Sequence, residues 1–181
     1  HRVVRDLVEG VQRVAEGQTA STLHNAAQAA LFITDARTLM EQPALSSEVF
    51  GPASLVVRAK DADELIAVAE QLEGQLTATL HLEDADHPLA RRLLPVLERR
   101  AGRLLVNGFP TGVEVCHAMV HGGPYPSTSN AMFTSVGASA IDRSLRPVCY
   151  QDLPDALLPE ALQQANPLGL WRLVDGAPVR A

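Results

Sequence analysis

Cysteine is scarce in this chain: 181 residues hold only Cys116 and Cys149. Two thiols make neither a disulfide framework nor a zinc set on their own, so a reducing, cytoplasmic setting is the simpler reading. Long apolar runs are missing too. None approaches the roughly 20 residues of a membrane-spanning helix, and the N-terminus lacks a signal-peptide layout. No basic excess exists either: the net charge is -6 and the pI about 5.5, which argues against nucleic acid or an anionic membrane as main partner. Gly-x-Gly-x-x-Gly, Gly-Lys-Ser/Thr and Gly-x-Ser-x-Gly motifs are all absent, as are internal repeats and low-complexity segments. What remains is 46% hydrophobic and 20% charged, an ordinary globular composition in a chain long enough to build a core. It suits an enzyme or an oligomer subunit equally.

The chain begins at His1 within an apolar stripe: Val3, Val4, Leu7, Val8, Val11 and Val14 recur at helical spacing over residues 1–17. A helix with no visible N-cap leads to the expectation of a truncated polypeptide. A weakly periodic stretch follows, then a strand in "AALFIT" (29–34) and one or two helical turns in "DARTLMEQ". "ASLVVRA" predicts a strand bounded by Pro52 and Lys60. "DADELIAVAEQLEG" predicts a helix with Asp61 as N-cap, Glu64 three residues later and Gly74 as its stop. "QLTATLHL" alternates as a strand. "DHPLARRLLPVLERRAG" reads as a helix from Pro88 to Gly102 that Pro95 should kink or shorten. "RLLVN" is a further strand. Strand, helix, strand, helix, strand over about 53–107 implies parallel strands and an α/β sheet. Residues 1–150 are therefore assigned to an α/β domain. Residues 151–181 are assigned a short helix (154–165) and the apolar strand "LGLWRLV", an edge suited to pairing with another subunit.

Several groups could carry chemistry. The Gly- and Pro-rich stretch after Asn107 follows the carboxyl end of a strand, where ligands of open α/β sheets bind. Cys116 beside His117 invites a nucleophile–base reading, against which a small buried hydrophobe competes. Glu114, His117 and His121 have chelating spacing only if helical, and Gly122-Gly123-Pro124 argues instead for a turn with close backbone approach. Arg91, Arg92, Arg99, Arg100 and Arg103 read as a solvated face that complements a helix C-terminus. In "SSEVFGPASLVV", Glu48 and Phe50 lie two apart and so face one side. A carboxylate there can accept two vicinal hydroxyls, as on a ribose, with an aromatic face beside it. A solvent-facing acid and a core Phe are the alternative.

That same stretch resembles the aldehyde dehydrogenase superfamily, whose Glu-[Ile/Val]-Phe-Gly-Pro signature runs into a strand. "AGRLLVNGF" is similar to the family's Gly-x-[Val/Leu]-x-[Val/Ile]-Asn segment, and "HGGP" falls where the family has Pro-Phe-Gly-Gly. The resemblance covers about residue 29 to the C-terminus. "LLVNGFPTGVEVCHAMVHGGPYPSTSN" and "LRPVCYQDLPDALLPEALQ" look like the branch that oxidises 2-oxoglutarate semialdehyde with NAD or NADP.

The resemblance implies that Glu48 hydrogen-bonds the nicotinamide ribose, that Phe50 packs at the nicotinamide, and that Asn107, Phe109 and His121 border the substrate tunnel. His121 stands where the family has Phe. The last strand, around Leu170 to Val174, would join a neighbouring subunit in a homo-oligomer. The family's nucleophilic Cys, which attacks the aldehyde before hydride passes to the nicotinamide, its general-base Glu and its dinucleotide-binding domain lie upstream of the signature. None of the 47 residues before Glu48 is Cys. The expectation is therefore the C-terminal part of such an enzyme, inactive alone, with no catalytic residue and no metal of its own. A non-catalytic assembly module and a Cys116/His hydrolase are the competing readings.

Overall fold

The computed structural model describes residues 9–18 and 26–180. It divides into two compact units, 1–143 and 144–181. In the first, strand β1 (Gln12–Glu16) pairs antiparallel with β2 (Ala30–Asp35), which pairs in parallel with β3 (Ala53–Arg58). The helix expected over 1–17 is thus corrected at its end, where Gln12–Glu16 is a strand; residues 1–8 lie outside the described residues. Val11 is buried but Val14 is half exposed, so the two valines do not share a buried helical face. Gly10 has a φ of 88°, which breaks a helix, and the segment takes its backbone hydrogen bonds from the edge of β2.

Helix α1 (Ala36–Glu41) follows β2 directly. Asp35 caps it, its carboxylate accepting the Thr38 N–H at 2.7 Å. Helix α2 (Ala62–Gln71) starts at Asp61, whose carboxylate accepts the Glu64 N–H at 2.8 Å. Glu64 reaches back one residue further than a capping box requires, to the Lys60 N–H. Strand β4 (Gln75–Leu80), helix α3 (His87–Arg100) and strand β5 (Ala101–Val106) complete the unit, with β4 and β5 parallel.

The α/β class and the parallel pairings stand as expected, but among the described residues the strands do not form one continuous sheet. The strands make a three-stranded sheet, β1-β2-β3, and a separate pair, β4-β5. Helix α2 joins the two. Its Val68 packs on the cluster of Val11, Phe32, Leu39 and Leu45, while Ile66 and Ala69 pack with Leu93, Val96 and Leu97 of α3. Sequence periodicity specifies a crossover helix; it does not specify which strand edges bond.

Three further expectations change. Of the two effects expected of Pro95, shortening does not occur: α3 runs through it to Arg100. Gly74 and Gly102 are not helix stops. Both helices end earlier, at Gln71 and Arg100, and neither glycine has a positive φ. Each lies instead beneath a crossing loop: a Cβ on Gly74 would stand 2.1 Å from the Pro124 carbonyl oxygen, and one on Gly102 would stand 2.0 Å from that of Gly122.

In the second unit, the helix expected over 154–165 is replaced by two short 3₁₀ turns, Asp155–Leu157 and Glu160–Leu162. Pro159 is the reason. It disfavours helical backbone at Leu158, which is extended with ψ 147°, and it supplies no N–H. The expected strand shortens to β6 (Arg172–Val174), which pairs antiparallel with β7 (Ala177–Val179). The hairpin closes through Asp175 and Gly176, both at positive φ (51° and 81°), the pairing that suits the twist of two adjoining strands.

Two outcomes follow for stability. Gly102→Ala should destabilise the fold by about 1–3 kcal/mol, because backbone rather than a flexible side chain must move; urea unfolding followed by circular dichroism checks this. The cap hydrogen bond from Thr38 holds the Asp35 carboxyl below its ordinary value, so its contribution is present above the unfolded-chain value and is lost as pH falls through the lowered one. Asp35→Asn should flatten that acid limb in melts recorded across pH.

Candidate functional site

The Glu48 loop leaves the 3₁₀ turn Pro43–Ser46 and enters β3. Val49 is half buried and lines a small cavity of about 150 Å³ with Phe32, Leu45 and Leu55. Glu48 and Phe50, on either side of it, are both exposed. The Glu48 carboxylate has no hydrogen-bond or ion-pair partner among the described residues. It faces an open cleft of about 360 Å³ whose far wall is the amino end of β4, Gly74 to Thr77, with Pro126 and Ser127. Phe50 is 87% exposed, so the core-Phe alternative fails.

The wall that Pro126 and Ser127 supply depends on the crossing loop. Gly122 and Gly123 are buried, and at Gly123 (φ 159°) a Cβ would meet the Gln75 carbonyl oxygen at 2.4 Å. The turn read from Gly-Gly-Pro is therefore a close backbone approach. The Ser127 hydroxyl donates to the Pro124 carbonyl at 2.6 Å, and that of Thr128 donates to the Gly123 carbonyl at 2.7 Å. The Thr134 hydroxyl accepts the His121 N–H at 2.8 Å, and the Ser135 N–H donates to the His121 carbonyl at 2.9 Å.

Asn107 and Phe109 sit elsewhere. They follow the carboxyl end of β5, whereas Glu48 and the Gly122-Gly123 crossing lie at the amino ends of β4 and β5. Six strand residues at about 3.3 Å each separate the two ends by roughly 17 Å. The structure therefore brings His121 toward the Glu48 side and leaves Asn107 and Phe109 at the other. Asn107, in the left-handed region at φ 53°, uses its whole amide locally: Oδ1 accepts the Leu82 N–H and Nδ2 donates to the Leu82 carbonyl, each at 2.8 Å. The Phe109 ring meets His81 at a centroid distance of 5.5 Å.

Arg103 is the residue that sequence reasoning missed. The arginines were read as one solvated face, yet Arg103 is half buried and donates to the Pro110 and Gly112 carbonyls, each at 2.8 Å, and to Met119 Sδ at 3.5 Å. It holds the long loop to β5. Its place one residue past Gly102 in an alternating strand was the available signal. Arg100 donates to the Glu70 carbonyl and Arg92 pairs with Asp63, so these two tie α3 to α2. Residues 114–121 form no helix, and no group of three His, Cys, Asp or Glu comes together among the described residues, which removes the premise of the chelating alternative. Cys116 is half buried, and its thiol has no imidazole hydrogen bond among the described residues. No described helix is long and apolar enough to cross a membrane.

Comparison with known proteins decides the family. The chain is 64% identical over 167 residues to alpha-ketoglutaric semialdehyde dehydrogenase 2 of Azospirillum brasilense, covering 92% of this chain and 32% of that protein. It belongs to the aldehyde dehydrogenase superfamily. Alpha-ketoglutaric semialdehyde dehydrogenase of Acinetobacter baylyi is 51% identical over 169 residues, covering 93% of this chain and 32% of that one. The chain thus spans about a third of the length of the curated relatives it matches. No family model matches it. Among solved structures, the Delta-pyrroline-5-carboxylate dehydrogenase of Mycobacterium tuberculosis bound with NAD aligns with a TM-score of 0.52 and 20% identity, over 72% of this chain and 23% of that one. A further structure of that enzyme aligns with a TM-score of 0.50 and 21% identity, over 63% and 20%. At such identities the likeness shows the fold alone.

Arg103→Ala should free the 108–121 loop of this aldehyde dehydrogenase chain at a cost of roughly 1.5–3 kcal/mol, and Arg103→Lys should not restore it, since one ammonium lacks the planar fork that reaches two carbonyls. Faster hydrogen exchange at 108–121 in both variants, with β1-β2-β3 unchanged, is the expected readout.

Proposed function

We propose that these residues serve within an NAD(P)-dependent aldehyde dehydrogenase that oxidises alpha-ketoglutaric semialdehyde to 2-oxoglutarate, where they hold the nicotinamide end of the cofactor and wall the substrate passage. The observation that carries the proposal is the Glu48 carboxylate, which faces an open cleft and has no partner among the described residues; Phe50, two residues on, is exposed. The 64% identity to a protein named for that semialdehyde supports the substrate.

A carboxylate with free lone pairs accepts the two vicinal hydroxyls of a ribose, and a charge-assisted pair of this kind fixes a sugar more firmly than a neutral acceptor does. The exposed Phe50 ring, two residues on, offers an apolar face for a planar heterocycle. The bound cofactor supplies the hydride acceptor. Glu48 and Phe50 supply its position, and the crossing loop keeps the cleft wall in place. Asn107 and Phe109 belong to the passage through the β5 end, His121 through the crossing loop. The catalytic thiol lies outside these 181 residues, because neither Cys116 nor Cys149 occupies the nucleophile's place in the family's order of motifs.

In the same proposal the β6–β7 hairpin joins a second copy of the protein. Its Trp171 and Leu173 side chains are 68% and 77% exposed, and one edge of each of its strands carries no partner among the described residues. A cytoplasmic location accompanies it, in keeping with two free cysteines.

The test uses the full-length polypeptide. It should reduce NAD or NADP in the presence of the semialdehyde, and the 181-residue chain alone should not. Glu48→Gln should slow hydride transfer or cofactor release by about tenfold or more, measured by pre-steady-state absorbance of the reduced cofactor. Unchanged transients would remove the role assigned to Glu48.

A further inference from the structure

A second cleft, of about 270 Å³, lies on the other side of the crossing loop. Pro126 and Ser127 face the Glu48 cleft; the next residues, Thr128 to Asn130, face this one, together with His121, Phe133 and Arg143. One peptide unit separates the two linings.

Its hydrogen-bonding groups divide cleanly. Thr128, Thr134 and Ser135 spend their hydroxyls on the backbone at Gly123, Val136 and His121, which fixes the frame. Asn130 Oδ1 accepts the Met132 N–H at 3.0 Å. Left without partners among the described residues are the Arg143 guanidinium, the Ser129 hydroxyl and the Asn130 amide nitrogen. All three can donate. No Asp or Glu lines the cleft, and His121 Nδ1 in its wall is buried with no hydrogen-bond partner. A cation with two free neutral donors and no competing carboxylate is a site for a small anion. A volume below that of drug-sized pockets suits a short-chain carboxylate.

We infer that this cleft binds the carboxylate end of the aldehyde substrate, with Arg143 as the charged contact and Ser129 and Asn130 as neutral donors. The inference rests on the function proposed above, and it assigns these residues to substrate specificity rather than to chemistry. A semialdehyde with an acid at its far end would reach from this cleft across the crossing loop toward the nicotinamide side. An aldehyde without that acid would gain nothing from Arg143.

The experiment measures full-length wild type, Arg143→Ala, Arg143→Lys and Ser129→Ala with alpha-ketoglutaric semialdehyde and with pentanal, which lacks the carboxylate. Arg143→Ala should raise KM for the semialdehyde about tenfold or more, Arg143→Lys should raise it less, and KM and kcat for pentanal should stay as in wild type. Thermal melts check that the variants fold; Arg143 and Ser129 are exposed, so loss of packing is not expected. Glutarate binding, followed by calorimetry without cofactor, should weaken by the same factor, and it reads the cleft even if the semialdehyde proves not to be the substrate. Equal effects on both aldehydes, an effect on neither, or a raised KM for NADP instead would overturn the inference, the last by assigning Arg143 to a cofactor phosphate.

Discussion

The backbone of one loop lies directly on the backbone of two strands, and the site depends on that approach. Gly74, Gly102 and Gly123 each stand where a Cβ would come within 2.4 Å of a carbonyl oxygen across the crossing. No other residue type leaves that space open. Pro126 and Ser127 thereby reach the amino end of β4 and close the cleft opposite Glu48, while Thr128 to Asn130 turn to the far side. The loop is long and irregular, with the hydroxyls of Ser127, Thr128, Thr134 and Ser135 taking up carbonyls that no ladder satisfies. Two arrangements follow from one contact: a cleft with a carboxylate and a cleft with a guanidinium, neither partnered among the described residues, on opposite sides of the loop.

Opposite signs on the two faces fit a division of labour. A neutral sugar bearing hydroxyl donors suits the carboxylate; an acid suits the guanidinium. Arg103 of β5 secures the remainder of the loop through the Pro110 and Gly112 carbonyls, and Asn107, just past β5, ties that strand's end to the Leu82 backbone beyond β4. Both are polar side chains whose hydrogen bonds are spent within the chain.

Much of this was legible in the sequence. The Asp61 cap, the β3 strand, the alternation in β4 and the parallel pairs followed from local periodicity and from the length of the crossovers, whereas the Asp35 cap was not read. The misreadings share a cause. Gly74 and Gly102 sit just past helical stretches, where a stop glycine is expected, and only tertiary contact reveals what they accommodate. Val11 and Val14 mimic a helical stripe although the strand beside them is exposed. Pro159 interrupts a segment whose apolar spacing alone reads as helix. Arg103 looked like its neighbours because a charged residue's partner, here a set of backbone carbonyls nine or fewer residues away, leaves no mark in composition.

The account's central claim is that the Glu48 cleft receives the nicotinamide ribose. A crystal structure of the full-length polypeptide with NAD or NADP bound measures this directly. The account predicts both ribose hydroxyls within about 3 Å of the Glu48 carboxylate, with the Phe50 ring against the nicotinamide side. A cofactor whose nicotinamide ribose lies away from Glu48, with the cleft between Ser46 and Ser127 left to solvent, would contradict it.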